Sequence, residues 1–259
     1  IICSKKAFDY EEAQNILDII LKDRTGETDA DFTQKNSVEN SVENFLENSL
    51  ESLYTLSKTL GKKHFNSETE SWDTHKMVEV FMLLANHYAA KFIHTNAQQN
   101  IETIYRVHKQ GKNLFPVTNK VELDEFLHTY QSEAAIYDTS PQNYFHFGLN
   151  VNYYTHFTSP IRRCVDNIIH KQIISILEAQ NGNVKENSYP NSLQCALSNI
   201  NSLCENINKF QKNSKKAYRK WNELKVLQNI NKEGYEGYIY DLKYTGNSYK
   251  ISVYIPSIK

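Results

Sequence analysis

Arg162 and Arg163 close an eleven-residue run, Tyr153-Tyr154-Thr155-His156-Phe157-Thr158-Ser159-Pro160-Ile161-Arg162-Arg163, that also holds a histidine and three hydroxyl side chains beside its tyrosines. Ser159 before Pro160 predicts a helix start, because serine caps free backbone N–H groups and proline is tolerated at the first helical position. On that reading the helix runs from Ser159 to about Glu178 and both arginines fall in its first turn. The helix dipole disfavours cations there. Two guanidinium groups beside free N–H groups therefore describe an anion site, with phosphate as the natural anion. Asp166 and His170 follow Arg162 at four-residue spacing, so Asp166 is expected to orient the Arg162 guanidinium. Ser159 and His156 do not read as a hydrolase pair, since no oriented third partner and no nucleophile elbow accompany them. A second chemical candidate is Glu79, which has apolar neighbours on both sides and shares a helix face with Asn86. A carboxylate in such a helix must find a partner, either a substrate group or a structural arginine.

The elements that carry these residues are mostly helical. The chain has 259 residues, 40% of them hydrophobic, with only 8 glycines and 5 prolines, which favours helices over a loop-rich architecture. The formal net charge of −1 gives no global preference for nucleic acid, so any basic surface must be local. The four cysteines (Cys3, Cys164, Cys195, Cys204) show no metal-binding spacing and read as reduced intracellular thiols. No apolar run is long enough to span a membrane, and no signal peptide is visible. Because the first residue is isoleucine, the native start is expected to lie upstream.

Apolar periodicity predicts a helix from about Tyr10 with Ala13, Ile16, Leu17 and Ile20 on one face. An Asn-rich tetrapeptide repeat around 33–51 reads as an exposed insertion that merges into a helix through Leu50, Leu53, Leu56 and Leu60, ended by Gly61. A helix from about Asp73 to Ile93 is apolar nearly all round, which predicts burial. Another spans about Asn119 to Tyr130. The longest covers roughly Ser192 to Asn229. There Leu203, Ile207, Phe210, Ala217, Trp221 and Leu224 form a packing seam, and Lys209, Lys212, Lys215, Lys216, Arg219 and Lys220 form a basic ridge that is either solvated or turned toward nucleic acid. After Gly234 the pattern alternates: Tyr238, Tyr240 and Leu242, a turn at Gly246-Asn247, then Ile251, Val253 and Ile255. This predicts a hairpin, whose tyrosines could stack on bases.

The run Tyr154-Thr155-His156-Phe157-Thr158-Ser159-Pro160-Ile161-Arg162-Arg163 with Asp166 and His170 resembles the signature of the RNB domain, the catalytic domain of the ribonuclease II and ribonuclease R family. Tyr144-Phe145-His146-Phe147-Gly148-Leu149, Val78-Glu79-Val80-Phe81-Met82-Leu83-Leu84-Ala85-Asn86, Tyr105-Arg106-Val107-His108 and Ile1 through Gln14 resemble further segments of that family, most of all its eukaryotic exosome subunits. The resemblance implies an α+β, mostly helical fold. Residues 1–230 would form the C-terminal part of an RNB domain, and 231–259 the opening hairpin of an OB-fold. It implies 3′-to-5′ hydrolysis of single-stranded RNA to nucleoside monophosphates, in the nucleus or cytoplasm, with exosome core subunits as partners and no membrane. It assigns Arg162 to catalysis at the scissile phosphate, and Arg163, Glu79, His156, Thr158, Ser159 and Asn86 to RNA binding. Arg163 could equally support the fold. Mg²⁺ is implied as cofactor, held by an aspartate cluster upstream of Ile1, so no metal ligands are expected here and the isolated chain is expected to be inactive. Asp29 and Asp31 do not read as ligands. Departures from the family, Cys164 for tyrosine and Lys171 for arginine, keep a non-catalytic RNA-binding or scaffolding relative open. A helical interaction domain is the reading outside the family.

Overall fold

Asp9 and Glu12 start the first helix by bonding reciprocally: the Glu12 N–H donates to Asp9 Oδ1 at 2.8 Å and the Asp9 N–H to Glu12 Oε2 at 3.1 Å. Such a box satisfies N–H groups that the helix cannot. In the computed structural model, which describes residues 7–25, 39–65, 71–96, 102–111, 115, 117–140, 142–181, 199–229 and 234–258, the chain divides into two compact units. One comprises Ile1–Gln99 with Leu149–Asn183, the other Asn100–Gly148 with Val184–Lys259.

The first unit is built from α1 (Tyr10–Thr25), α2 (Glu39–Phe65), α3 (Thr74–Asn96) and α5 (Cys164–Gln180). Asp73 caps α3 as expected, accepting the Lys76 N–H at 2.7 Å. The starts of α1 and α3 are tied together: Gln14 Oε1 accepts the Thr74 N–H at 2.8 Å, and the Thr74 hydroxyl donates to the Tyr10 carbonyl at 3.1 Å. Ala13, Leu17, Leu50, Tyr54, Trp72, Met77, Val80 and Leu84 form one core. Each fully buried large aliphatic side chain, such as Leu17, contributes about 1.5–3 kcal/mol.

Three expectations change here. Helix α2 begins at Glu39, so it takes in the last three of the four Asn-rich tetrapeptides, and it runs through Gly61 to Phe65. Gly61 is no stop signal. The Trp72 ring lies against it, and a Cβ there would also come within 3.2 Å of Val80. Trp72 is held in that place by its indole N–H, which donates to Ser57 Oγ at 2.9 Å, while its carbonyl accepts the Tyr54 hydroxyl at 2.9 Å. Third, α3 is not buried all round: Val78 is 41% and Tyr88 49% exposed. The strand-like opening at Ile1–Ser4, residues 26–38 and residues 192–198 lie outside the described residues.

The second unit contains an antiparallel ribbon of β1 (Tyr105–Val107) and β2 (Ile136–Asp138), with Arg106 opposite Tyr137. Helix α4 (Val121–Gln131) starts where the Asp124 carboxylate accepts the N–H and hydroxyl of Thr118 at 2.8 and 2.7 Å. The long helix α6 (Ile200–Asn229) lies along β2. There Asn208 imitates a strand neighbour, its Oδ1 accepting the Tyr137 N–H at 2.9 Å and its Nδ2 donating to the Tyr137 carbonyl at 2.8 Å. Ile200 and Cys204 are buried, but the expected seam opens to solvent beyond them: Phe210 is 70%, Trp221 55% and Leu224 52% exposed.

The hairpin of β3 (Tyr238–Tyr244) and β4 (Tyr249–Tyr254) forms as the alternation predicts. Tyr240 and Tyr254 pack on Phe126 of α4, the Tyr254 ring stacked on it at 4.1 Å. Tyr244 and Tyr249 face outward. At the other end of the unit His108 accepts the Gly148 N–H on Nδ1 at 3.0 Å and donates from Nε2 to the Glu133 carbonyl at 2.7 Å. A Cβ on Gly148 would sit 2.7 Å from that Nδ1.

Candidate functional site

The arginine-bearing run lies in the first unit and is held from beneath by α3 and α5. Tyr153 takes a left-handed backbone, φ 59°. That bend presents its carbonyl to the His87 Nδ1–H at 3.0 Å and its ring to His94, stacked at 4.1 Å. Tyr154 and Thr155 then turn into the core.

Asn86 is wholly buried below the next residues. Its Oδ1 accepts the N–H groups of Phe157 and Thr158 at 2.8 and 3.2 Å, and its Nδ2 donates to the Tyr154 hydroxyl at 2.9 Å. Asp166, also wholly buried, continues the series: its Oδ1 accepts the Ser159 N–H at 2.6 Å and the Arg163 guanidinium at 2.8 Å. Three consecutive backbone N–H groups are thus satisfied by two buried side chains from two helices. His170 donates from Nε2 to the Phe157 carbonyl at 2.8 Å and stacks on the Phe157 ring at 4.2 Å. Asn167 Nδ2 donates to the Pro160 carbonyl at 2.6 Å.

The helix start differs from the expectation. Helix α5 begins at Cys164, with Arg163 in extended conformation as its N-cap residue and no side-chain cap bond. Ser159 instead opens a turn in which its carbonyl accepts the N–H groups of Arg162 and Arg163 at 3.3 and 3.1 Å. Asp166, in the first turn of α5, draws back the Ser159 N–H, so the chain completes a separate turn before the helix. The carboxylate in that position also suits the helix dipole.

This shift exchanges the roles of the two arginines. Arg163 is the one that pairs with Asp166, its side chain only 19% exposed. Arg162 projects into solvent, and among the described residues no carboxylate pairs with it. Ile161 beside it is fully exposed. Below them Thr158 Oγ1, Arg163 Nε and Asp166 Oδ2 are buried without a hydrogen-bond partner among the described residues. Buried polar atoms are seldom left unmatched, and here three of them gather at one loop.

The other sequence candidates separate. Ser159, Thr158 and His156 lie on the loop, His156 edge-on to the Tyr154 ring at 5.9 Å. Asn86 sits under it rather than on its surface. Glu79 lies two helical turns before Asn86 on α3. Its side chain is 45% exposed and pairs with Lys76 at 3.0 Å, not with an arginine. Sequence reasoning missed His87 and the exchange between the arginines. The signal for the exchange was the three-residue spacing of Arg163 and Asp166, which brings side chains together as readily as four.

Among the described residues no three His, Cys, Asp or Glu side chains gather as a metal would require. The buried carboxylate at the loop, Asp166, already holds a guanidinium, so the donor set does not fit Mg²⁺. Asp29 and Asp31 lie outside the described residues.

The RNB domain family model matches residues 1–179. The chain belongs to the RNB-domain family. Ribonuclease R of Escherichia coli (strain K12) is 31% identical over 149 residues, 44% of this chain and 18% of that protein. The probable exosome complex exonuclease RRP44 of Caenorhabditis elegans is 26% identical over 308 aligned residues, 99% of this chain and 30% of that protein. The chain therefore spans less than a third of these curated relatives. Its fold is similar to that of Mycoplasma genitalium RNase R, solved in complex with ribose methylated single-stranded RNA, at a TM-score of 0.56 and 21% identity over 86% of this chain and 41% of that one. The arginine-bearing loop lies within the residues that the family model matches.

Proposed function

We propose that this chain is the phosphate-gripping part of a hydrolytic exoribonuclease that removes nucleoside monophosphates from the 3′ end of single-stranded RNA. The observation that carries the reading is Arg162. Its guanidinium stands in solvent on a turn whose backbone is held by Asn86, Asp166, Asn167 and His170. A planar, permanently charged fork on a rigid support suits a phosphate whose charge increases during bond breaking, and it needs no reorganisation at that moment. Arg163 supports the turn through Asp166, and Asn86 positions it. Thr158, Ser159 and His156 line the loop beside the phosphate, and Glu79 acts at the terminal nucleotide. Residues 231–259 open an OB-fold. The protein works inside the cell, with RNA exosome core subunits as candidate partners.

Arg162→Ala in the full-length protein tests the role. Turnover is expected to fall by about a hundredfold or more while RNA affinity changes little, the mark of an interaction made in the transition state. Equal loss of both would reduce Arg162 to a binding residue. A non-catalytic relative is the second reading. It draws on Cys164, an exposed free thiol at the first helical position after the arginines.

A further inference from the structure

The outer face of α6 joins charge to exposure in a way that the loop does not use. Within a chain of net charge −1, Lys209, Lys212, Lys215, Lys216, Arg219 and Lys220 all lie on one helix and all are exposed. At about 100° per residue these cations occupy an arc of roughly 140°, leaving the Phe210–Trp221 stripe on another side. At a rise of about 1.5 Å per residue they follow one another every ~3.3 Å along the axis. No carboxylate interrupts the series between Lys209 and Lys220. The helix is fastened at its beginning: Asn208 is bonded to Tyr137, and Gln211 Oε1 accepts from Arg106 at 3.2 Å. Beyond that anchor, residues 211–221 are exposed on every face.

We propose that this face of α6 is a second RNA-binding surface, a rail that takes single-stranded RNA by its phosphates without reading its bases. The choice of RNA as occupant rests on the reading of the chain as a ribonuclease. The run of exposed cations, complementary in sign to any phosphate backbone, is independent of that reading. Lysine suits the task, since a flexible, hydrated point charge neutralises a phosphate without fixing its orientation. Such a surface would raise affinity and retain substrate, and would leave the chemistry to the Arg162 loop.

The test uses the full chain with a fluorescein-labelled oligouridylate, measuring affinity across a salt series. Replacing the six cations with glutamine is expected to weaken binding more than about tenfold at low salt. It should also flatten the slope of log K against log salt by up to about 4, at ~0.7 per phosphate contact on a single strand. Replacing the five lysines with arginine should preserve the slope, with helix content by circular dichroism unchanged in both variants. Glutamine at Lys62, Lys63 and Lys91, exposed lysines elsewhere, should leave the slope unchanged. An unchanged slope in the six-site variant overturns the proposal. So does ridge-dependent binding to phosphatidylserine vesicles without ridge-dependent RNA binding. Arg162→Ala distinguishes the two readings: it removes turnover if the catalytic assignment is right, and it leaves the ridge's share of the slope whether or not that assignment stands.

Discussion

The arginine-bearing loop and the distal half of α6 handle charge in opposite ways. At the loop, cation and anion are brought together in the interior, and the backbone around them is fastened bond by bond. Along α6 the cations from Lys209 to Lys220 stand exposed to water, and among the described residues no ion pair holds them. The first arrangement yields a direction: one guanidinium aimed at one place. The second yields a field, which attracts any phosphate backbone and favours none of its residues. The difference predicts where substitutions should damage the fold and where they should not.

Asp166→Ala should have the largest effect. It strands the Arg163 guanidinium and frees the Ser159 N–H, and breaking a buried pair from one side costs about 3–5 kcal/mol. Urea unfolding would measure it. Asn86→Ala should follow, at about 2–4 kcal/mol, since it removes the acceptor of two backbone N–H groups, those of Phe157 and Thr158. Asn86→Asp keeps the acceptor and should recover part of the loss. A loss below about 1 kcal/mol for either alanine variant would mean that water replaces the clamp.

The second unit should respond to pH instead. Burial, followed by the nearby His108, pushes His146 down from the ordinary 6.5 to about 4. Below pH 6.5 the unfolded chain takes up that proton before the folded one, so stability is full above that value and falls as pH drops toward 4. Thermal melts across that window should show the loss, and His146→Asn should flatten it. Trp221→Ala on α6 should have the smallest effect, within about 0.5 kcal/mol, because its side chain is 55% exposed. A larger loss would show that the stripe is covered.

The same contrast explains what could be read from the sequence. Helices α1, α3 and α4 and the hairpin follow from apolar periodicity, because their packing faces are the periodic ones. The start of α5 does not. Ser159-Pro160 has the local chemistry of a helix start, but Asp166 competes for the Ser159 N–H and wins, which no window of a few residues reveals. Gly61 looks like a helix end because glycine usually is one, and only the position of Trp72 shows why a side chain is excluded there. The α6 seam follows from its spacing, but spacing cannot supply a neighbour to cover it. Asn86 stands out in the sequence by sharing a helix face with Glu79 and by the family resemblance, which assigns it to RNA binding. Whether its amide faced a ligand or the backbone depended on a chain segment 71 residues away.

The Asn208 side chain on β2 has a consequence for how this protein survives its own synthesis. A two-stranded ribbon leaves an outer strand whose free N–H and C=O groups can recruit the strand of another molecule. By occupying both groups of Tyr137, Asn208 closes that template with a single residue. Asn208→Ala would spare the folded contacts on the ribbon's other side, yet it would give crowded, newly made chains a place to join. Its phenotype should be turbidity that grows with concentration, before any change in melting temperature.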